Sequence, residues 1–286
     1  MFAAAVAAPA RAQDLYQQAV AAARREQLDS AYDLIQRAAE AEPDRAEVQV
    51  VLGQLACAKV ATAGVLNRFL LARKCKAALG RAAELAPDSI GYVAAFAQYL
   101  ASAPGIVGGD RDSALKLAEV IRPRDEVAAT FVIATAYLSM GDLRMKARAD
   151  SAVEDLERRR AGDRLAILRV AGYWAATNQP ERALASYEHM VERDPKDPVA
   201  QFFLGRQFVL MKREPRRAQE HLRLAAAAPP SDSAVSFTPG APWYRLGQTY
   251  VQLAMPDSAR LCYEEALRIN PRLNVARVAL DSLEGR

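Results

Sequence analysis

Apolar and small residues return every three to four positions along most of this chain, and glycine or proline falls between the periodic blocks. Alanine dominates the blocks and runs of β-branched residues are scarce, so the pattern predicts helices and no sheet. Trp243, Leu246, Gly247 and Tyr250 fall in one such block, and Ala259, Tyr263 and Ala266 in the next, before Pro271. Gly247 and Ala259 stand twelve residues apart, small sites at which two antiparallel helices can approach closely while Leu246, Tyr250 and Tyr263 fill the space around them. Pro271 ends the second helix because it has no amide to donate. One hairpin of this kind cannot bury its apolar face alone, so copies are required elsewhere.

The copies are present. A small residue, twelve positions, a second small residue and twelve more to a proline recur at Ala19, Ala31 and Pro43, and again at Ala171, Ala183 and Pro195. In the latter, Ile167, Val170, Trp174, Tyr187 and Met190 supply the apolar fill. Gly205, Ala218 and Pro230 repeat the spacing with one extra residue between the helices. The copy from Gly53 to Pro87 puts Cys75 at the second small site with ten residues inserted before it, and the copy pairing Ala97 with Ala114 carries five. A weaker copy spans Val127 to Arg160 around Ala134, Tyr137 and the Gly141-Asp142 turn, with an ambiguous second-helix register. Asn274 to Leu283 is helical by pattern, with Val275, Val278, Ala279 and Leu283 on one face.

The segment from Trp243 to Pro271 resembles the tetratricopeptide repeat, whose W-x2-L-G-x2-Y…A-x3-F…P spacing it follows with Tyr263 in place of Phe. The resemblance extends by spacing over residues 13–271. It implies an all-α, right-handed superhelical solenoid of about seven antiparallel helix pairs of about 34 residues each, followed by a capping helix over 272–286. Insertions fall near 61–71, 104–110 and 231–238.

In this family the first helices of successive pairs line a concave groove that holds a peptide or partner helix. Carried onto this chain, the resemblance makes Gln98, Phe131, Thr135, Leu168, Phe202, Arg206, Tyr244, Arg245, Gln248 and Gln252 the groove residues. Members that clamp a chaperone's terminal carboxylate use paired Lys and Asn on these helices; here Gln248 and Arg206 occupy the relevant faces and the pair is missing. The mixture of aliphatic, aromatic and amide groups suits a partly apolar peptide with backbone contacts from the glutamines.

The insertions are where such arrays carry function. Around residues 61–71, Leu66, Phe69, Leu70 and Leu71 are unusually apolar for a connector, as an extra packing helix or an exposed docking patch, with a break at Gly64. In the 104–110 insertion, Gly108 and Gly109 permit positive φ, Asp110 caps the next helix, and Ile106 and Val107 are expected to tuck back onto the hairpin. Residues 231–238 form a Ser/Pro-rich loop tethered by Phe237, or a recognition loop over the groove.

Composition narrows the function. With 38 basic and 34 acidic residues the net charge is +4, a mixed surface without the Lys/Arg runs interleaved with aromatics of a nucleic-acid binder. Arg158-Arg159-Arg160 suits a helix C-terminus. Ala10-x-Ala12 follows a short apolar run and reads as a cleavage signal, so residues 1–12 are expected to be a signal-peptide remnant and the protein exported and periplasmic, with a cytoplasmic adaptor as the alternative. No run of 18 apolar residues follows to span a membrane. Export would allow a disulfide between Cys57 and Cys75, in the two arms of one hairpin, while Cys262 reads as core filler. His189 and His221 fall in different repeats without spaced cysteines, so no metal or cofactor is expected. No nucleophile–base constellation is evident, and a non-catalytic protein-binding scaffold is favoured over a helical hydrolase-like enzyme.

Overall fold

The computed structural model describes residues 7–25, 27–227, 237–283 and 285, and all regular structure among them is helical. The chain divides into two compact units, residues 1–156 and 157–286. The first contains α1 (Ala7–Arg24), α2 (Leu28–Ala41), α3 (Ala46–Val60), α4 (Val65–Leu85), α5 (Ile90–Ser102), α6 (Arg111–Ile121) and α7 (Glu126–Leu138). Helix α8 (Leu143–Arg159) crosses the boundary. The second contains α9 (Arg164–Ala176), α10 (Pro180–Arg193), α11 (Pro198–Met211), α12 (Pro215–Ala227), α13 (Ala241–Gln252), α14 (Pro256–Ile269) and α15 (Asn274–Leu283). Helices pack as the consecutive pairs α1/α2, α3/α4, α5/α6, α9/α10, α11/α12 and α13/α14, so the all-α repeat of helical hairpins predicted from spacing is the architecture present.

The small sites act as the spacing required. Ala19, Ala31, Ala97, Ala114, Ala171, Ala183, Ala218 and Ala259 are all fully buried. At the glycine sites the gain is room for a large side chain from the partner helix. A Cβ on Gly247 would stand 2.4 Å from the Tyr263 ring, and one on Gly205 or Gly53 would stand 2.7 Å from Leu222 or Leu79 respectively. Gly53 therefore makes room for Leu79; Cys75 is bonded to Cys57, tying α3 to α4 with a Cα–Cα separation of 5.3 Å. Chain reversal is locally encoded as well: Asp110, Asp125, Asp163 and Asp197 each accept a backbone amide at the start of α6, α7, α9 and α11.

One open register is filled in and two expectations are revised. In the weak copy, Ala149, Val153 and Leu156 are the buried residues of α8, and this sets the register that spacing left open. In α15 the fully buried residue is Ala276, while Val275 and Val278 are exposed. The packed stripe runs through Ala276, Ala279, Leu280 and Leu283, because the i, i+3, i+4, i+7 face built on alanine lets the last helix come close. In the 104–110 connector a 3₁₀ turn over Gly105–Val107 packs Val107 onto the core but leaves Ile106 81% exposed. Gly108 takes φ +89°, and at Gly109 a Cβ would sit 1.8 Å from the Ala103 carbonyl oxygen, so a left-handed residue and a close backbone contact demand the two glycines for different reasons.

At the first insertion α3 ends at Val60 and α4 starts at Val65, so the inserted residues form a four-residue turn, 61–64, and the opening turns of a 21-residue α4. Most of the 231–238 loop and residues 1–6 lie outside the described residues, but the Phe237 ring rests 4.5 Å from that of Phe202.

Candidate functional site

In the second unit α11 and α13 are the first helices of successive pairs, and the Gln252 amide donates to the Val209 carbonyl oxygen at 3.0 Å, holding one against the other. On α13, Tyr244 and Gln248 lie one turn apart. Arg245 Nη1 donates to Gln248 Oε1 at 2.8 Å, and Gln248 Nε2 donates to the Tyr244 hydroxyl at 2.9 Å. The Arg245 guanidinium also sits 5.1 Å from the centre of the Tyr244 ring. On α11 the Arg206 guanidinium stands 5.9 Å from the Phe203 ring, which stacks on Tyr187 of α10 at 5.6 Å.

Two half-buried arginines thus each stand over an aromatic ring, Arg206 over Phe203 and Arg245 over Tyr244. Among the described residues neither has a carboxylate within ion-pair distance. Burial disfavours the charged form of Arg245 and lowers its pKa; Tyr244 opposes this, and repulsion from Arg206, the smallest of the three effects, adds to the lowering. Burial raises the pKa of Tyr187, with Arg206 opposing it, and pushes Tyr263 up to about 12. The site is a cationic, aromatic and hydroxyl-bearing surface.

The other positions carried over from the repeat behave differently. In the first unit Gln98 Nε2 donates to Thr135 Oγ1 at 2.8 Å, bridging α5 to α7, and Thr135 donates to the Phe131 carbonyl oxygen. Phe131 and Phe202 are buried and offer little surface. Leu168 is half-buried on α9 and Gln252 is exposed. The glutamines at 98, 248 and 252 are engaged within the chain, so they orient neighbours as well as face outward. Sequence reasoning missed Tyr187, assigned to the apolar fill, and Phe203; the adjacent pair Phe202-Phe203, with one ring inward and one half-exposed, was the available signal.

His221 has a structural environment. Its Nδ1 lies 2.6 Å from Gln201 Oε1, and its ring stacks on Phe208 with centroids 6.1 Å apart. Burial, and then Arg217, depress its pKa below 6.5, with weaker opposition from Glu220 and Glu188. The unfolded chain therefore binds this proton more readily than the folded one. His221 subtracts no stability well above pH 6.5 and subtracts progressively more as pH falls through that value towards the folded pKa. Thermal melts between about pH 7.5 and about pH 5 should show a falling Tm whose slope is smaller in His221→Gln. An equal slope in both proteins would remove His221 as a source.

The tetratricopeptide repeat profile matches residues 240–273, the segment built around Gly247 and Tyr263. No curated protein matches the chain. A tetratricopeptide repeat protein of Parabacteroides merdae is 12% identical over 96% of this chain and 99% of its own, with a TM-score of 0.48. A thermophilic tetratricopeptide repeat protein of Thermus thermophilus is 17% identical over 96% of this chain and all 100% of its own, with a TM-score of 0.36. The human IFIT1 dimer with m7Gppp-AAAA is 17% identical with a TM-score of 0.53; the match covers 90% of this chain and only 59% of that one. At such identities the likeness is one of fold alone. The profile match makes residues 240–273 a tetratricopeptide repeat, and the helical hairpins packed around equivalent small sites in both units share its fold.

Proposed function

We propose that this protein is a non-catalytic scaffold that holds an acidic, partly apolar segment of a partner protein against the α11/α13 face. The repeat fold supports protein binding in general. The observation that carries the finer reading is the pair Arg206 and Arg245, half-buried beside Phe203 and Tyr244 with no carboxylate in ion-pair reach among the described residues. A cation withdrawn from water without a counter-charge gains most when a ligand brings one, and the rings offer apolar contact at the same place. Gln248 helps by fixing the Tyr244 hydroxyl and the Arg245 fork. The bridge between Cys57 and Cys75 and the Ala10-x-Ala12 motif support an oxidising, extracytoplasmic location.

A fluorescent peptide alternating Glu and Leu should bind, and Arg206→Ala or Arg245→Ala should each weaken it about tenfold, or about 1.4 kcal/mol. An unchanged Kd in both variants, or equal binding of a control peptide with Gln in place of every Glu, would overturn the assignment. Because IFIT1 was solved with m7Gppp-AAAA, an adenine oligonucleotide is the control; preference for it over the peptide would replace a protein partner with a nucleic acid.

A further inference from the structure

We propose that the tip of the α3–α4 hairpin, in the first unit, docks on an anionic lipid surface. The inserted turn and the opening of α4 leave Val65 86% and Leu66 76% exposed, with Leu70 also exposed. Neither Val65 nor Leu66 lines the two cavities that flank α4. Ile106, on the connector beside α4, adds a fourth exposed apolar side chain. The turn itself, Ala61 to Gly64, carries no charge.

Charge distribution selects the partner. Residues 48–83 contain six cations, Lys59, Arg68, Arg73, Lys74, Lys76 and Arg81, and no acid. Lys59 pairs with Asp29, and Arg81 with Asp44 and Glu84. The other four have no carboxylate partner among the described residues. Two open cavities lie along α4. One, of about 710 Å³ against residues 105–108 of the connector, includes Phe69, Arg73 and Lys76; the other, of about 550 Å³ against α2 and the end of α3, includes Leu70 and Lys74. At 1.5 Å per residue, Arg73 and Lys74 stand about 10–12 Å along the helix from Leu66. An apolar end with cations one to two turns behind it matches the depth profile of a lipid interface, where side chains enter the acyl boundary and cations meet phosphates. The Cys57–Cys75 bond lies between the tip and the rest of the hairpin and keeps the two helices together as it projects.

The test is co-sedimentation of the full chain with phosphatidylcholine vesicles, with and without phosphatidylglycerol. Binding is expected only to the anionic vesicles, with loss at high salt. Leu66→Asp and the double substitution Arg73→Gln/Lys74→Gln should each lower the partition coefficient about tenfold or more. Arg206→Ala should bind vesicles as the unaltered protein does, which separates this inference from the peptide site. Circular dichroism checks the fold of each variant; if one unfolds, the lipid and salt dependence of the unaltered protein still decides. No binding to anionic vesicles, equal binding to neutral ones, or unchanged binding by folded variants would overturn the proposal. Retention on polyglutamate without vesicle binding would assign the tip to an acidic protein instead.

Discussion

Trp174→Ala is expected to destabilise the second unit by about 3–5 kcal/mol, the range for deleting a buried indole. Trp174 is fully buried in α9 and meets Tyr173 edge-on at 4.9 Å. The Arg182 guanidinium covers its ring at 3.5 Å, and its Nε1 donates to Glu157 Oε2 at 3.3 Å. Alanine would open a cavity the size of the ring between α9 and α10 and take one donor from Glu157, leaving the Ser186 hydroxyl, which donates at 2.6 Å. Because α9 contacts α10 and α10 contacts α11, the loss should spread along the array as a sum of local terms. Trp243 is the other tryptophan of the chain and belongs to the same unit, so its fluorescence reports urea unfolding in the variant. Trp174→Phe should lose less than the alanine variant. A shift below about 1 kcal/mol in Trp174→Ala would mean that the indole is not a keystone of this hairpin.

Opening the Cys57–Cys75 bond should cost about 3 kcal/mol, since it closes a loop with a sequence separation of 18. The cost should be local, because the bond joins α3 to the α4 segment whose first turns make few other contacts. Hydrogen exchange should therefore accelerate most at the end of α3 and the start of α4, both on reduction and in the Cys57→Ser/Cys75→Ala double variant. Alanine is chosen at 75 because that side chain is fully buried and a hydroxyl would lack a partner. Cys262 does not confuse the assay: it is buried in α14, and burial pushes its pKa up to about 11, so little thiolate is present at neutral pH. Unchanged melting and exchange after verified reduction would show that the bond adds nothing to hairpin stability.

Residue order alone was enough for the helices, their pairing and the sites of close approach. Helical period, small-residue spacing, N-terminal aspartates and prolines are properties of neighbours in the chain, and each hairpin repeats them. The break at Gly64, the cap at Asp110 and the burial of Cys262 were legible for the same reason. The misreadings concern what lies across from a residue. Val275 and Val278 looked like a packing face, but the alanine stripe beside them allows a shorter approach. Ile106 had no reason in its own segment to point outward. The candidate site shows the same division. Arg206, Tyr244, Arg245 and Gln248 could be named from the repeat, whereas the stacking of Phe203 on Tyr187 and the want, among the described residues, of a carboxylate near two arginines depend on three helices meeting. Helix formation is a short-range consequence of the local pattern, while counter-charge and burial are sums over everything that surrounds a group, so they exist only once the helices have packed.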